Sequence, residues 1–316
     1  MRDRLLGRSG IRVSELCLGT MMFDNDMGWR PNADTSASRK IYEAYREAGG
    51  YFVDTANIYG NSEEALGSMI AADERDSLVL ATKFTLESQP GDPNSSGSHR
   101  KNLRRSVESS LRRLGTDYID LLWVHAWDQR TPLDETLRAL DDVVASGKVM
   151  AIGVSNTPAW VISSAIARAE LQGRTPFCAL QVQYSLVART ADREMLPMAA
   201  ANDLAVTGWA PLAMGVLAGK EIAWASARDN EIAKTVAEVA GELGATPSQV
   251  ALAWSIHRGV IPVVGSSKPE QLTDSLGAVD LELPADVLTR LGEASAVDLG
   301  YPHEFLTLKT DTLGAL

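Results

Sequence analysis

Gly115-Thr-Asp-Tyr118-Ile-Asp-Leu-Leu-Trp-Val124-His125 is the stretch whose reading decides the fold. Glycine stops whatever precedes it, an apolar run follows, and a polar ring closes the run. Upstream, Ser98 to Leu114 has helical periodicity, and Gly115 is the usual residue just past a helix end. Downstream, Leu133 to Ala145 is a second helix that stops near Gly147. An apolar strand flanked by helices is the signature of a parallel strand covered by its crossovers.

The same unit recurs outward in both directions. Strands are predicted at Leu16-Cys-Leu-Gly-Thr20, Tyr51-Phe-Val-Asp-Thr55, Leu78-Val-Leu-Ala-Thr82, Val149-Met-Ala-Ile-Gly-Val154, Ala179-Leu-Gln-Val182, Leu204-Ala-Val-Thr-Gly-Trp209 and Val260-Ile-Pro-Val-Val264. Helices are expected over residues 35–49 and 62–72, the second with Ser62 as N-cap. Others are expected over 158–170, 192–202, 230–243, 247–257 and 269–276, and after Pro284. Eight strands, each followed by helix, give an α/β fold: a (β/α)₈ TIM barrel spanning residues 1–316 as one domain. Residues 7–13 read as an N-terminal hairpin turn plugging the bottom, and 88–97 and 212–228 as long loops. The rival, an open doubly wound sheet, wants G-x-G-x-x-G after its first strand, and Leu18-Gly-Thr-Met-Met22 does not supply it.

Composition narrows the function. A net charge of −11 argues against nucleic acid as partner, since phosphate backbones need a basic surface. A phosphate-bearing cofactor needs only local donors. No apolar run approaches the roughly 18 residues of a membrane span, and the opening Met1-Arg-Asp-Arg-Leu-Leu-Gly-Arg8 has no apolar core of a secretory signal. Cys17 and Cys178 are too few for a disulfide framework, so the cytoplasm is the expected compartment.

Active sites of such barrels lie at the C-terminal strand ends. Here the strands end in Asp54, Lys83, His125, Ser155-Asn156, Trp209 and Gly265 to Lys268, with Gln181 on the sixth strand and Tyr59 on the short loop after the second. Singly, Asp54 reads as a loop cap, Lys83 as a solvated strand end, and His125 and Tyr59 as packing. Convergence of all four on one rim reads as chemistry. A carbonyl that accepts hydride on carbon gains negative charge on oxygen and needs a proton donor there. A phenol is a weak acid until a nearby ammonium favours its phenolate. Tyr59 is then the acid, Lys83 and Asp54 its tuners, and His125 the group that orients the substrate oxygen.

These residues resemble the aldo-keto reductase family over nearly the whole chain. The carriers are Asp54-Thr-Ala-Asn-Ile-Tyr59-Gly with Glu63-Glu64-Ala-Leu-Gly67, Leu80-Ala-Thr-Lys83, Arg113 to His125, and Val149-Met-Ala-Ile-Gly-Val-Ser-Asn156. The resemblance implies that Asp54, Tyr59, Lys83 and His125 form the catalytic tetrad, with NADPH (NADH as the variant) bound extended and no metal. It implies that Ser155, Asn156 and Gln181 hold the nicotinamide carboxamide, and that Trp209 stacks on the ring where Tyr is commoner. Ala210, Pro211, Leu212, Gly215 and Lys220 would cover the pyrophosphate. Gly265, Ser267, Lys268, Gln271 and Ser275 would grip the adenosine end, with Lys268 as the sole cation for a 2′-phosphate where relatives use Arg.

Asp92-Pro-Asn94, Arg100-Lys-Asn-Leu, Trp123 to Asp128 and Gly300 to Phe305 look like the aryl-alcohol dehydrogenase branch. Met22, Phe23, Trp29 and Trp127 then either line an aromatic-accepting pocket or anchor loops and core. The implied partner is a small-molecule carbonyl substrate. The alternative is a cofactor-binding regulatory subunit of the ion-channel β-subunit type with little turnover. A metal-dependent barrel hydrolase would need paired His and carboxylate ligands at strand ends, and only His125 stands at one.

Overall fold

The computed structural model describes residues 1–25 and 32–309. A short antiparallel hairpin, β1 (Asp3–Leu5) and β2 (Arg12–Ser14), precedes the repeating units. These are β3 (Cys17–Gly19), α1 (Thr35–Glu47), β4 (Phe52–Asp54), α2 (Ser62–Met69), β5 (Val79–Phe84), α3 (Arg100–Leu114), β6 (Ile119–Val124) and α4 (Leu133–Ala145). Then come β7 (Val149–Ser155), α5 (Ala159–Leu171), β8 (Ala179–Gln183), α6 (Met195–Ala201), β9 (Ala205–Trp209), α7 (Ala227–Leu243), α8 (Pro247–His257) and β10 (Val260–Gly265). The chain continues through α9 (Pro269–Leu276), α10 (Ala285–Ala294) and α11 (His303–Leu308). Strands β3 to β10 pair in parallel, and β10 bonds both β9 and β3, so the sheet closes into a barrel.

Strand alternation then sorts the side chains. Val53, Leu80, Leu122, Ile152, Leu180 and Val264 face outward into the layer shared with the helices. Phe52, Ala81, Leu121, Trp123, Ala151 and Ala179 face inward and pack the lower barrel. Asp54, Lys83, Ser155 and Gln181 have the same inward parity, higher up. Gly153 makes this floor possible, because a Cβ there would lie 2.4 Å from carbons of the Trp123 ring.

The hairpin turn does plug the bottom. Leu6 is fully buried within that inner cluster. Gly7 has φ +54°, and a Cβ on it would meet the Cys178 carbonyl at 2.1 Å and the Asp203 carbonyl at 2.5 Å. Only glycine fits between the hairpin and the β8 and β9 starts.

Several local readings change. Asn61, not Ser62, is the N-cap residue of α2, and it makes no side-chain cap bond; the Ser62 hydroxyl points into the protein. The helix expected over 192–202 shortens to α6, because Asp192 is held away from it by Arg189, Tyr184 and Arg258. Phe23 is fully buried in the outer core, so it is a loop anchor and not a pocket wall. Trp29 lies outside the described residues.

Candidate active site

Asp54 ends β4 and Lys83 stands near the end of β5, both facing the barrel axis. They form an ion pair, with side-chain exposures of 4% and 1%. The ammonium also donates to the Thr55 carbonyl at 2.7 Å. Burial alone would pull the lysine pKa down; the Asp54 carboxylate and the Tyr59 phenol outweigh it, and the net shift is upward. The carboxylate thus favours the charged form of the buried lysine. On the other carboxylate oxygen, Gln181 of β8 donates its amide at 3.3 Å.

Tyr59 reaches this pair from the β4–α2 turn. Its backbone N–H bonds the Ala56 carbonyl at 3.1 Å, and its carbonyl accepts from Ser62 N–H at 3.0 Å. Gly60 follows with φ +56°, and its missing Cβ leaves room for the Asn25 side chain, whose Oδ1 would otherwise lie at 2.5 Å. The Lys83 Nζ is 4.9 Å from the Tyr59 ring centroid. His125, directly after β6, stands edge-on to the same ring. Burial, with Lys83 adding to it, pushes the imidazole pKa down to about 3, so the ring is neutral near physiological pH. The structure thus brings all four residues to one mouth of the barrel.

Around them lie buried polar atoms with no partner among the described residues: His125 Nδ1, Ser155 Oγ, Thr207 Oγ1 and Trp209 Nε1. Buried polar groups are nearly always hydrogen-bonded, so these four atoms are available to a polar ligand. Hydroxyl, imidazole and indole N–H atoms suit a carboxamide and a carbonyl oxygen. Thr207 was not singled out by sequence reading. Its inward parity on β9, in register with Gln181, is the signal that finds it. Asn156 has φ +45° and donates its side-chain amide to the His125 carbonyl at 2.8 Å, tying the ends of β6 and β7 together.

Two further segments extend from this mouth. After β9, Ala210, Ala213, Met214 and Gly215 all have positive φ, between 47° and 110°. Such conformations cost roughly 1–3 kcal/mol each outside glycine and gather at ligand clamps, where alternating backbone turns aim N–H groups at anions. The Lys220 stem folds over Gly215, whose Cβ would sit 2.8 Å from the lysine Cδ. Pro211 is buried and Leu212 half-buried beneath this turn. After β10, Gly265, Lys268 and Gln271 are exposed and Ser267 half-buried at the start of α9. Ser266 closes the turn by accepting from Lys268 N–H at 3.2 Å. Ser275 differs: it is buried, and its hydroxyl donates to the Gln271 carbonyl within α9 at 2.9 Å.

Residues 15–296 match the model of the aldo/keto reductase family. The chain belongs to the aldo-keto reductase family. It is 35% identical to norsolorinic acid reductase of Aspergillus flavus, over 96% of this chain and 83% of that protein. It is 33% identical to an NADP(+)-dependent aryl-alcohol dehydrogenase of Phanerodontia chrysosporium, over 93% and 86%. An uncharacterized oxidoreductase of Bacillus subtilis, YrpG, is 38% identical over 93% and 95%. This aldo-keto reductase is accordingly a nicotinamide-dependent enzyme that reduces small carbonyl compounds. At the rim of the reductase, half-buried Trp127 meets exposed Trp160 of α5 edge-on, ring centroids 5.7 Å apart. Met22 lies at the opposite side, its Cγ 4.0 Å from a Cβ position on Gly265. Two open grooves flank the hairpin at the far face, lined by Arg2, Arg4, His257 and Arg258 among others, and none of the four mouth residues borders them. Among the described residues no helix is long and apolar enough to cross a membrane.

Proposed function

We propose that the enzyme reduces aryl aldehydes or ketones to alcohols with NADPH, using Tyr59 as proton donor. The observation that carries this reading is the buried Lys83 cation, paired with Asp54 and lying against the Tyr59 ring beside a neutral His125. When bound, the dihydronicotinamide supplies hydride to the carbonyl carbon. Tyr59 gives its proton to the carbonyl oxygen, and Lys83 stabilises the phenolate left behind. Asp54 keeps Lys83 charged. His125, uncharged, offers an N–H to the same oxygen without competing as an acid. Solvent then returns a proton to Tyr59, and the balance is one hydride and one proton added across C=O.

Ser155, Asn156 and Gln181 would hold the carboxamide, and the Trp209 indole would stack on the ring. The positive-φ turn with Lys220 would meet the pyrophosphate, and Ser267, Lys268 and Gln271 the adenosine 2′-phosphate. An aryl substrate is supported by the Trp127–Trp160 pair at the rim and by the relatives named for aryl substrates. Two free, buried thiols suit a reducing compartment such as the cytoplasm. The test is fluorescence titration with NADPH and NADH, followed by turnover on matched aryl and alkyl carbonyls. NADPH should bind more tightly and aryl aldehydes should have the higher kcat/KM. Cofactor binding with no oxidation on any carbonyl would refute the enzyme.

A further inference from the structure

We propose that a buried hydroxyl cluster, Ser62 with Thr55 and Thr20, is the positioning element that holds Tyr59 against Lys83. The inference rests on Tyr59 being the proton donor. The three residues have no solvent exposure. Ser62 Oγ donates to the Thr20 carbonyl at 2.7 Å, and lies 2.8 Å from Thr20 Oγ1 and 3.0 Å from Thr55 Oγ1. Thr20 Oγ1 in turn donates to the Asp54 carbonyl at 3.2 Å. Thr55 and Ser62 are the two feet of the turn that carries Tyr59. Their hydroxyl contact closes that turn like a clasp.

The clasp is joined to the catalytic pair by the same residue. The Thr55 carbonyl accepts from Lys83 Nζ at 2.7 Å, while its side chain bonds Ser62. One residue therefore fixes the ammonium with its backbone and the phenol's turn with its hydroxyl. The far side is held by Glu63, next to Ser62. Its carboxylate accepts from Thr82 Oγ1 at 2.6 Å and from Arg113 Nε at 2.7 Å, and Thr82 immediately precedes Lys83. The first turn of α2 is thus bolted to β3, β4 and β5 together.

Why hydroxyls stand here is a question of direction. Three small apolar residues would fill the same space, and exchanging bonded polar partners for apolar ones of equal shape is often nearly neutral for stability. Apolar contact is non-directional, however, and hydrogen bonds fix angles as well as distances. Proton transfer needs donor and acceptor within about 2.6–3.2 Å, and an ångström of misplacement costs on the order of a hundredfold.

The test compares Thr55→Val and Ser62→Ala with Thr55→Ser and Tyr59→Phe, each preloaded with NADPH. Single-turnover rate, solvent deuterium isotope effect and NADPH affinity by fluorescence are measured. Thr55→Val and Ser62→Ala should each lower the single-turnover rate by about ten- to a hundredfold. The isotope effect should rise, and NADPH affinity should stay within about twofold. Thr55→Ser, which keeps the hydroxyl, should restore most of the rate. Should Ser62→Ala fail to fold, the isosteric Thr55→Val and its serine partner decide alone. Wild-type rate and isotope effect in Thr55→Val, with Tyr59→Phe impaired, would overturn the positioning role only. Wild-type rate in Tyr59→Phe would overturn the proton-donor reading and this inference with it.

Discussion

The Tyr59 and His125 rings stand edge to face, with centroids 6.0 Å apart and planes at 83°. Tyr59→Phe keeps the ring and removes the hydroxyl, the group assigned as proton donor. We expect kcat to fall by about 10²–10⁴-fold, the usual worth of a positioned general acid. NADPH affinity should hardly change, because the phenol is not among the groups assigned to the cofactor. Steady-state turnover with fluorescence titration checks both halves of this expectation.

His125 makes the pH dependence specific. Its pKa is about 3 in the folded protein, with burial the main cause and Lys83 the second, against about 6.5 when unfolded. Between these values the unfolded chain binds the extra proton and the folded one does not. Stability is therefore intact above pH 6.5 and declines by a few kcal/mol, order of magnitude, as pH falls toward 3. Urea unfolding of wild type and His125→Gln at pH 7 and pH 4.5 measures it: the gap between the two pH values should shrink in the variant. In the same range kcat/KM should show no ionisation that disappears with His125→Gln.

How much of this was readable beforehand follows from what each residue depends on. Asp54, Lys83 and His125 sit at or just beyond the ends of regular strands, so period-two alternation and barrel geometry place them at one mouth. Thr207 was readable by the same rule and was missed because threonine in a strand looks like ordinary β-branched packing. The clasp was not legible. Ser62 before an amphipathic run has the local signature of an N-cap, and only tertiary contacts from Thr20, 42 residues away, redirect its hydroxyl. The turn at residues 213–215 escaped for another reason. Met214 adopts φ +56° against its own preference, imposed by the surrounding turn, and no residue-type rule anticipates that. Phe23 stayed open between pocket wall and loop anchor because sequence gives its loop but not the direction of its side chain.

Removing one member of the Lys83–Asp54 pair should cost far more than removing both. Lys83→Met leaves a carboxylate with 4% exposure and no cation, a situation that typically costs about 3–5 kcal/mol. Adding Asp54→Asn to Lys83→Met should recover most of that loss, since no uncompensated charge remains. Activity should stay absent in both. Thermal melts alongside turnover separate the two effects, and a double variant as unstable as the single would contradict the pairing.

Gly153 supports the site from below. Both carbons facing its missing Cβ belong to the fully buried Trp123 indole, at 2.4 Å, on the neighbouring strand. Gly153→Ala must therefore displace that ring within the packed floor, at a cost of about 1–3 kcal/mol or more. A compensating Trp123→Leu should relieve part of it, giving a double variant more stable than the sum of the singles implies. Chemical denaturation of the four proteins of this cycle reads the coupling directly.

Lys220 and Lys268 are assigned to different phosphates of the cofactor. Lys220 folds over Gly215 at the turn assigned to the pyrophosphate, a group common to NADPH and NADH. Lys268 is exposed at the start of α9, the place assigned to the 2′-phosphate that only NADPH carries. Lys220→Ala should weaken both cofactors by a similar factor, whereas Lys268→Ala should weaken NADPH by about tenfold and leave NADH nearly untouched, the range expected for one charge-assisted contact. The NADPH loss should also shrink at high salt, because the Lys268 contact is solvent-exposed and screened. Equal effects of Lys268→Ala on both cofactors would move the 2′-phosphate away from α9, and with it the assignment of Ser267 and Gln271.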